Sequence, residues 1–317
     1  MARPLRIQYA GAFYHVTSRG NEQRAIFSGI RDRQKLCSFF SEAVVRYGLF
    51  IHAYCLMDNH YHLLLETSEP NLAQALHYIN GGYTGYYNRA NERSGHLFQG
   101  RYRAILVEKD AYAATLSRYI HLNPCRANLC KRPEEYLWSS YFGYVRPERR
   151  PSWLETSLIL GYFGYAEMDA IRRYITFVEE GLKGEVTDPL RGTISGVVLG
   201  SNGFVDWVKE RFVGGIKETR DLPAVRQLRP RPSVQRIMET VEGILGKEDV
   251  WLRDISIWFC HRYTGKTLKE IGEVHGGVRV SAVSQVIGRL YRRMGVDKKL
   301  EQNISKIDKE VARLSTV

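Results

Sequence analysis

The chain has 317 residues, 44% hydrophobic and 25% charged, enough apolar material for roughly two or three cores, which excludes a disordered polymer. No run of about 18 apolar residues occurs and the opening MARPLRIQYAG lacks an apolar signal segment, so neither membrane insertion nor secretion is expected and a cytoplasmic protein is. The formal charge of +12 divides as +8 over residues 1–150, −2 over 151–220 and +6 over 221–317, which points to two nucleic-acid contacts joined by a structural segment, with ordinary surface charge as the alternative.

AFYHVTSRG is β-branched and aromatic and predicts a strand ending at Gly20. RDRQKLCSFFSEAVVRYG places Leu36, Phe39, Phe40, Ala43 and Val44 at helical spacing and stops at Gly48, as a C-capping glycine would. FIHAYCLMDNHYHLLLET holds two β-rich runs either side of Met57, Asp58 and Asn59, the pattern of a hairpin. LAQALHYINGGYTGYYNRAN predicts a second helix despite its glycines; ILVEKDAYAATLSRYIHLNP predicts strand, turn and helix, with Asp110 near the helix start and Pro124 ending it. Strands and helices interleave, so residues 1–150 are expected to form one α+β layered domain.

A soft boundary follows at YVRPERRP, residues 144–151, with residues 151–225 expected as a connecting, mostly helical region. The basic, proline-rich RQLRPRPS, residues 226–233, predicts a linker, because X-Pro bonds disfavour helix. DVWLRDISIWFCHRYTG then predicts a helix, and TLKEIGEVHGGVRVSAVSQVIGRLYRRM predicts a short helix from Thr267, a turn through Gly276 and Gly277, and a second helix from about Ser281. That is helix-turn-helix order, so residues 234–300 are expected to be an all-α DNA-binding domain, followed by a tail at 301–317.

The five cysteines, Cys37, Cys55, Cys125, Cys130 and Cys260, are odd in number and form no CxxC, so reduced thiols are expected. The chemistry-bearing pattern is HYHLLLE: in a strand, His60, His62, Leu64 and Glu66 share one face and Tyr61, Leu63 and Leu65 the other. Two adjacent imidazoles suit one divalent metal, although a satisfied surface pair is the alternative. In RYIHLNP, Tyr119 and Asn123 are four apart and project from one helix face, so a phenolic nucleophile and an amide ligand would arrive together; a half-buried structural tyrosine is the alternative.

The succession YHVTSRGN, LMDNHYHLLLE, GHLFQGRYRA and YIHLNPCRA resembles the REP-associated tyrosine transposases, relatives of IS200/IS605-type transposases within the HUH nucleases. The resemblance spans about the first 150 residues. It implies a ferredoxin-like antiparallel sheet with packed helices, His60 and His62 as ligands of Mg²⁺ or Mn²⁺, Tyr119 as nucleophile, and Asn123 where relatives place a third polar ligand. It further implies cleavage and rejoining of single-stranded DNA through a 5′-phosphotyrosine bond, with hairpins of REP-like palindromes as partner. Cys125 reads as packing.

The other residues in these segments have plainer readings beside functional ones. His15, in a strand, reads as buried and hydrogen-bonded in preference to catalytic. Arg19, Arg101 and Arg103 are candidates for DNA phosphates, or form a solvated face. Tyr83, Tyr86 and Tyr87 are spaced for core packing, with stacking on unpaired bases as the alternative. In the carboxy-terminal block Ser284, Gln285, Arg289, Arg292 and Arg293 would face duplex DNA while Val283, Val286, Ile287 and Leu290 are buried. That block resembles the DNA-binding domain of the replication initiator DnaA, but Val280, Ser281, Ala282 and Val283 depart from its recognition-helix start, so the initiator's own sites are not implied. A helical cap packed on the rest of the protein, a DNA-binding regulator and a replication-initiator nuclease are the rival readings; oligomeric state is left open.

Overall fold

The computed structural model describes residues 5–183, 188–214, 228, 232–294 and 296–314. They fall into two compact units, one through Val205 and the other from Asp206 onward. Only residues 228, 232 and 233 of the expected linker are described.

The first unit runs β1 (Ala12–Arg19), α1 (Ile30–Tyr47), β2 (Leu49–Met57), β3 (His60–Thr67), α2 (Leu72–Ala90), β4 (Arg103–Val107) and α3 (Lys109–Arg126). Gly48 closes α1 with φ +62, a conformation costly for any residue with a Cβ. The order in the sheet is β2-β3-β1-β4-β5, and the first four strands pair antiparallel, as the ferredoxin-like arrangement requires. The fifth strand, β5 (Val198–Leu199), departs from the expected all-antiparallel sheet: it pairs parallel to β4, Leu106 opposite Val198.

Alternation along the strands sends two sets of side chains to opposite faces. One face meets α1 and α2: the Phe40 ring lies 5.6 Å from that of Tyr61, whose hydroxyl donates to Asn80 Oδ1 at 2.7 Å. Gly82 lets the two helices approach, since a Cβ there would sit 2.5 Å from the Phe39 ring. The other face packs Phe13, Ala53, Cys55, Leu64, Ile105 and Val107 against Ala113, Leu116 and Ile120 of α3. Pro124 does not end α3 as expected. It lies inside the last turn, where the missing N–H removes only one bond, and the helix continues to Arg126.

Residues 151–205 are not a mere connection. After α4 (Tyr141–Val145), α5 (Ser157–Gly161) and α6 (Glu167–Glu180) place Ile159, Leu160, Ile171, Tyr174 and Val178 in the core under α3. The apolar stripe of α6 at positions 170, 171, 174 and 178 demands such a partner. The Tyr174 hydroxyl lies 2.7 Å from His121 Nδ1 and 3.0 Å from Ser117 Oγ.

Beyond α7 (Asn202–Val208), the second unit is helical: α8 (Val234–Leu245), α9 (Leu252–Tyr263), α10 (Leu268–Val274), α11 (Val280–Met294) and α12 (Lys298–Leu314). Thr267 and Glu270 cap α10 reciprocally, side chain to backbone in both directions. Gly276 and Gly277 turn the chain with φ +86 and +77, and Gly272 is obligatory, because a Cβ there would lie 2.0 Å from the Val278 carbonyl oxygen. The expected tail at 301–317 is a helix as far as Leu314: Leu300, Ile304, Ile307 and Val311 recur at helical spacing and are buried with Ile237, Trp258, Val283 and Leu290. Among the described residues no helix is long and apolar enough to cross a membrane.

Candidate active site

The site forms where β1, β3, β4 and α3 meet. The two-residue turn at Asp58 and Asn59 starts β3 so that His60 and His62 both face α3, and Thr17 of β1 lies directly opposite His62. His60 Nε2 and His62 Nε2 are 3.1 Å apart. The remaining ring nitrogens are occupied: His60 Nδ1 by Asn59 Oδ1 at 2.6 Å, His62 Nδ1 by His15 Nε2 at 3.0 Å. If each Nδ1 donates, both Nε2 lone pairs are free and would be available to one ion.

Burial keeps these imidazoles neutral. His62 is pushed well below the usual imidazole value by burial, then by His15, His60 and Arg19. His60 is lowered to about 4 by burial and Arg19, and His15 to about 3 by burial and Arg103. A neutral imidazole is the ligating form, so the pair fits a hard divalent ion that keeps its other positions for water or phosphate oxygen. Among the described residues no group of three or more His, Cys, Asp or Glu side chains is arranged to hold a metal ion.

Tyr119 enters from α3. Its ring stands edge-on to His15 and His62, at 6.2 and 6.1 Å between centroids and 84° and 83° between planes. Burial and the Asp188 carboxylate raise its pKa, opposed by Arg126, Asn123 and Arg103. Asn123 donates its amide to the Tyr119 carbonyl at 2.9 Å and does not line the cavity holding the histidines, so the structure does not bring this expected third ligand to the pair.

That cavity, about 550 Å³, is lined by the three histidines and Tyr119, by Arg19, Arg101, Arg103 and Arg191, and by Asp188. The three arginines singled out from sequence therefore converge, although Arg101 precedes β4 and does not share a strand with Arg103. Sequence reasoning missed Asp188 and Arg191, which no local pattern distinguishes, and weighted His15 towards a structural role. The β1 alternation put His15 two residues from Thr17, but only the pairing register brings it to His62.

Tyr83, Tyr86 and Tyr87 serve packing. Tyr83 and Tyr87 are buried, and the three hydroxyls bond to the Ile26 carbonyl, Asp32 and Ser28. In the second unit Val283, Val286 and Leu290 are buried while Ser284, Gln285, Arg292 and Arg293 are exposed on α11. Arg289, exposed like them, is also ion-paired with the buried Asp254 of α9. Arg293 lies over the Trp251 ring at 4.9 Å.

Residues 8–123, which include all three histidines, Tyr119 and Asn123, match the family model described as transposase IS200 like. No match was found among curated proteins. Seven chains of solved structures match; one, described as a REP-associated tyrosine transposase bound to a REP hairpin, is 15% identical, with 50% of this chain and 93% of that chain covered and a TM-score of 0.41.

Proposed function

We propose, from the match of residues 8–123 to the family model described as transposase IS200 like, that this chain is a DNA transposase that cuts and rejoins single-stranded DNA with Tyr119 as its nucleophile. The observation that carries the reading is the placement of one phenol against a paired-histidine centre inside an arginine-lined cavity. The Tyr119 oxygen attacks a backbone phosphorus and the bond to the 3′ oxygen breaks, leaving a 5′-phosphotyrosine and a free 3′-hydroxyl. Attack by a 3′-hydroxyl reverses the step.

His60 and His62 would hold Mg²⁺ or Mn²⁺, which when bound polarises the phosphoryl group and offsets charge developing there. His15 and Asn59 fix the two ring orientations through Nδ1. Arg19, Arg101, Arg103 and Arg191 bind and orient the phosphate backbone, and their contacts carry no sequence information. Hairpins formed by REP-like palindromes are the substrate we assign, on the resemblance of the four sequence motifs. Exposed Ser284, Gln285, Arg292 and Arg293 support a second contact, with duplex DNA, through the helix-turn-helix.

The test is to incubate the full chain with MnCl₂ and a pool of single-stranded hairpins with randomised flanks, trap covalent adducts and sequence the attached DNA. An adduct that Tyr119→Phe abolishes is expected, since the ring's packing is kept and only the nucleophilic oxygen is lost. An adduct undiminished in that variant would overturn the assignment.

A further inference from the structure

Arg126 is the last residue of α3, seven positions after Tyr119 and so about two turns along the same stripe of the helix. Its guanidinium carbon lies 4.9 Å over the Tyr119 ring centroid. Nε and Nη1 of Arg126 are buried and meet no hydrogen-bond acceptor, and the Tyr119 phenol and, after it, the Asp188 carboxylate act on its charge. A guanidinium desolvated in this way costs free energy unless something in its surroundings takes up its charge. Arg126 does not line the cavity, where Arg19, Arg101, Arg103 and Arg191 face the substrate. Its nearest described aromatic partner is the ring whose oxygen must carry negative charge during the reaction.

We infer that Arg126 is a positioning residue for the nucleophile: it holds the Tyr119 ring from behind and supplies a fixed positive charge that stabilises phenolate character on its oxygen. The inference rests on the reading of Tyr119 as nucleophile. In cutting, the bond from the Tyr119 oxygen to phosphorus forms as the bond to the 3′ oxygen breaks; the phenol proton is released and the 3′ oxygen takes one up. In rejoining, the tyrosyl bond to phosphorus breaks with its electron pair on the phenolate, which then takes up the proton released by the 3′-hydroxyl. Both directions pass through the same partial charge beside Arg126, so its loss slows both alike. Asp188 works against this charge and Arg103, from β4, works with it.

The experiment measures single-turnover cutting and rejoining of a hairpin recovered from the adduct pool, with DNA affinity measured alongside. Arg126→Gln is expected to slow both steps on the order of 10- to 100-fold, the effect of removing one charge at close range in a partly dry site, with affinity changed less than about twofold. Arg126→Lys should retain much of the rate, and millimolar methylguanidinium should restore part of it to Arg126→Ala, neither of which follows from lost packing. Wild-type rates in Arg126→Gln, an affinity loss that accounts for the rate loss, or a defect that neither lysine nor methylguanidinium relieves would each overturn the inference. A DNA-free readout decides it independently: in protein carrying ¹³Cζ-tyrosine, the Tyr119 resonance, assigned with Tyr119→Phe, should shift in Arg126→Gln and shift less in Arg126→Lys. An unmoved resonance rejects the contact even if no DNA yields an adduct, an outcome that would by itself remove Tyr119 as nucleophile.

Discussion

His15 Nε2 sits 3.0 Å from His62 Nδ1, so a residue of the central strand β1 sets the ring orientation of a metal-binding candidate on β3. Replacing His15 leaves His62 in place but removes the acceptor for its Nδ1–H. His15→Ala is therefore expected to weaken metal activation or cutting by about 10- to 100-fold without abolishing it. A metal titration of the cleavage rate checks this, and unchanged activation would return His15 to a purely structural role.

His60→Ala and His62→Ala should each abolish cutting while leaving most DNA affinity, because neutral imidazoles contribute little to phosphate attraction. Chelator should reproduce the loss, and added Mg²⁺ or Mn²⁺ should reverse it. Asn123→Ala should show a smaller defect, since its amide bonds the Tyr119 carbonyl and does not line the cavity that holds the histidines. Cleavage and filter-binding assays on the same preparations separate the two effects.

The charge division between the units leads to a third expectation. A chain ending at Leu228 should still cut hairpins, because His15, His60, His62, Tyr119 and the arginines around them lie in the first unit. Its duplex binding should fall. Loss of Arg292 and Arg293 together should reproduce that fall and reduce the salt slope by about one for each phosphate contact removed.

Arg289 should behave differently from its neighbours. Arg289→Ala leaves the buried Asp254 carboxylate without its strongest partner, although Arg253 remains 3.8 Å away. Because the Arg289 side chain is 52% exposed, the expected destabilisation is modest, about 1–2 kcal/mol, read as a lower unfolding midpoint of the second unit. A full-length stability equal to wild type would restore Arg289 to the DNA-contacting set alone.

His121 supplies a pH dependence. Burial lowers its imidazole pKa to about 3, whereas the unfolded chain takes up the proton near its ordinary value of 6.5. The folded-state pKa is depressed, so the stability it permits is present above about 6.5 and is lost as pH falls towards 3. Urea midpoints at pH 7 and pH 5 should therefore separate less in His121→Gln than in wild type. An equal separation would show that His121 does not contribute.

The hairpin of β2 and β3, the helices α1, α2 and α3, and the facing of His60 and His62 were legible in sequence because each depends on local period: two for strands, 3.6 for helices. Thr267 and the paired glycines likewise marked the start of α10 and the turn after it, since caps and turns are chemistry between near neighbours. Tertiary structure alone decided what depends on register and packing between distant segments. Pairing of β1 with β3 carries His15 to His62 across 47 residues, and the apolar stripe of α6 recruits residues 151–205 into the first core. The same holds for α12, whose stripe is plain in sequence but whose partner is not, and for Arg289, whose ion pair is with an aspartate 35 residues away. Periodicity states that a face must be buried; only the folded chain supplies the face it is buried against.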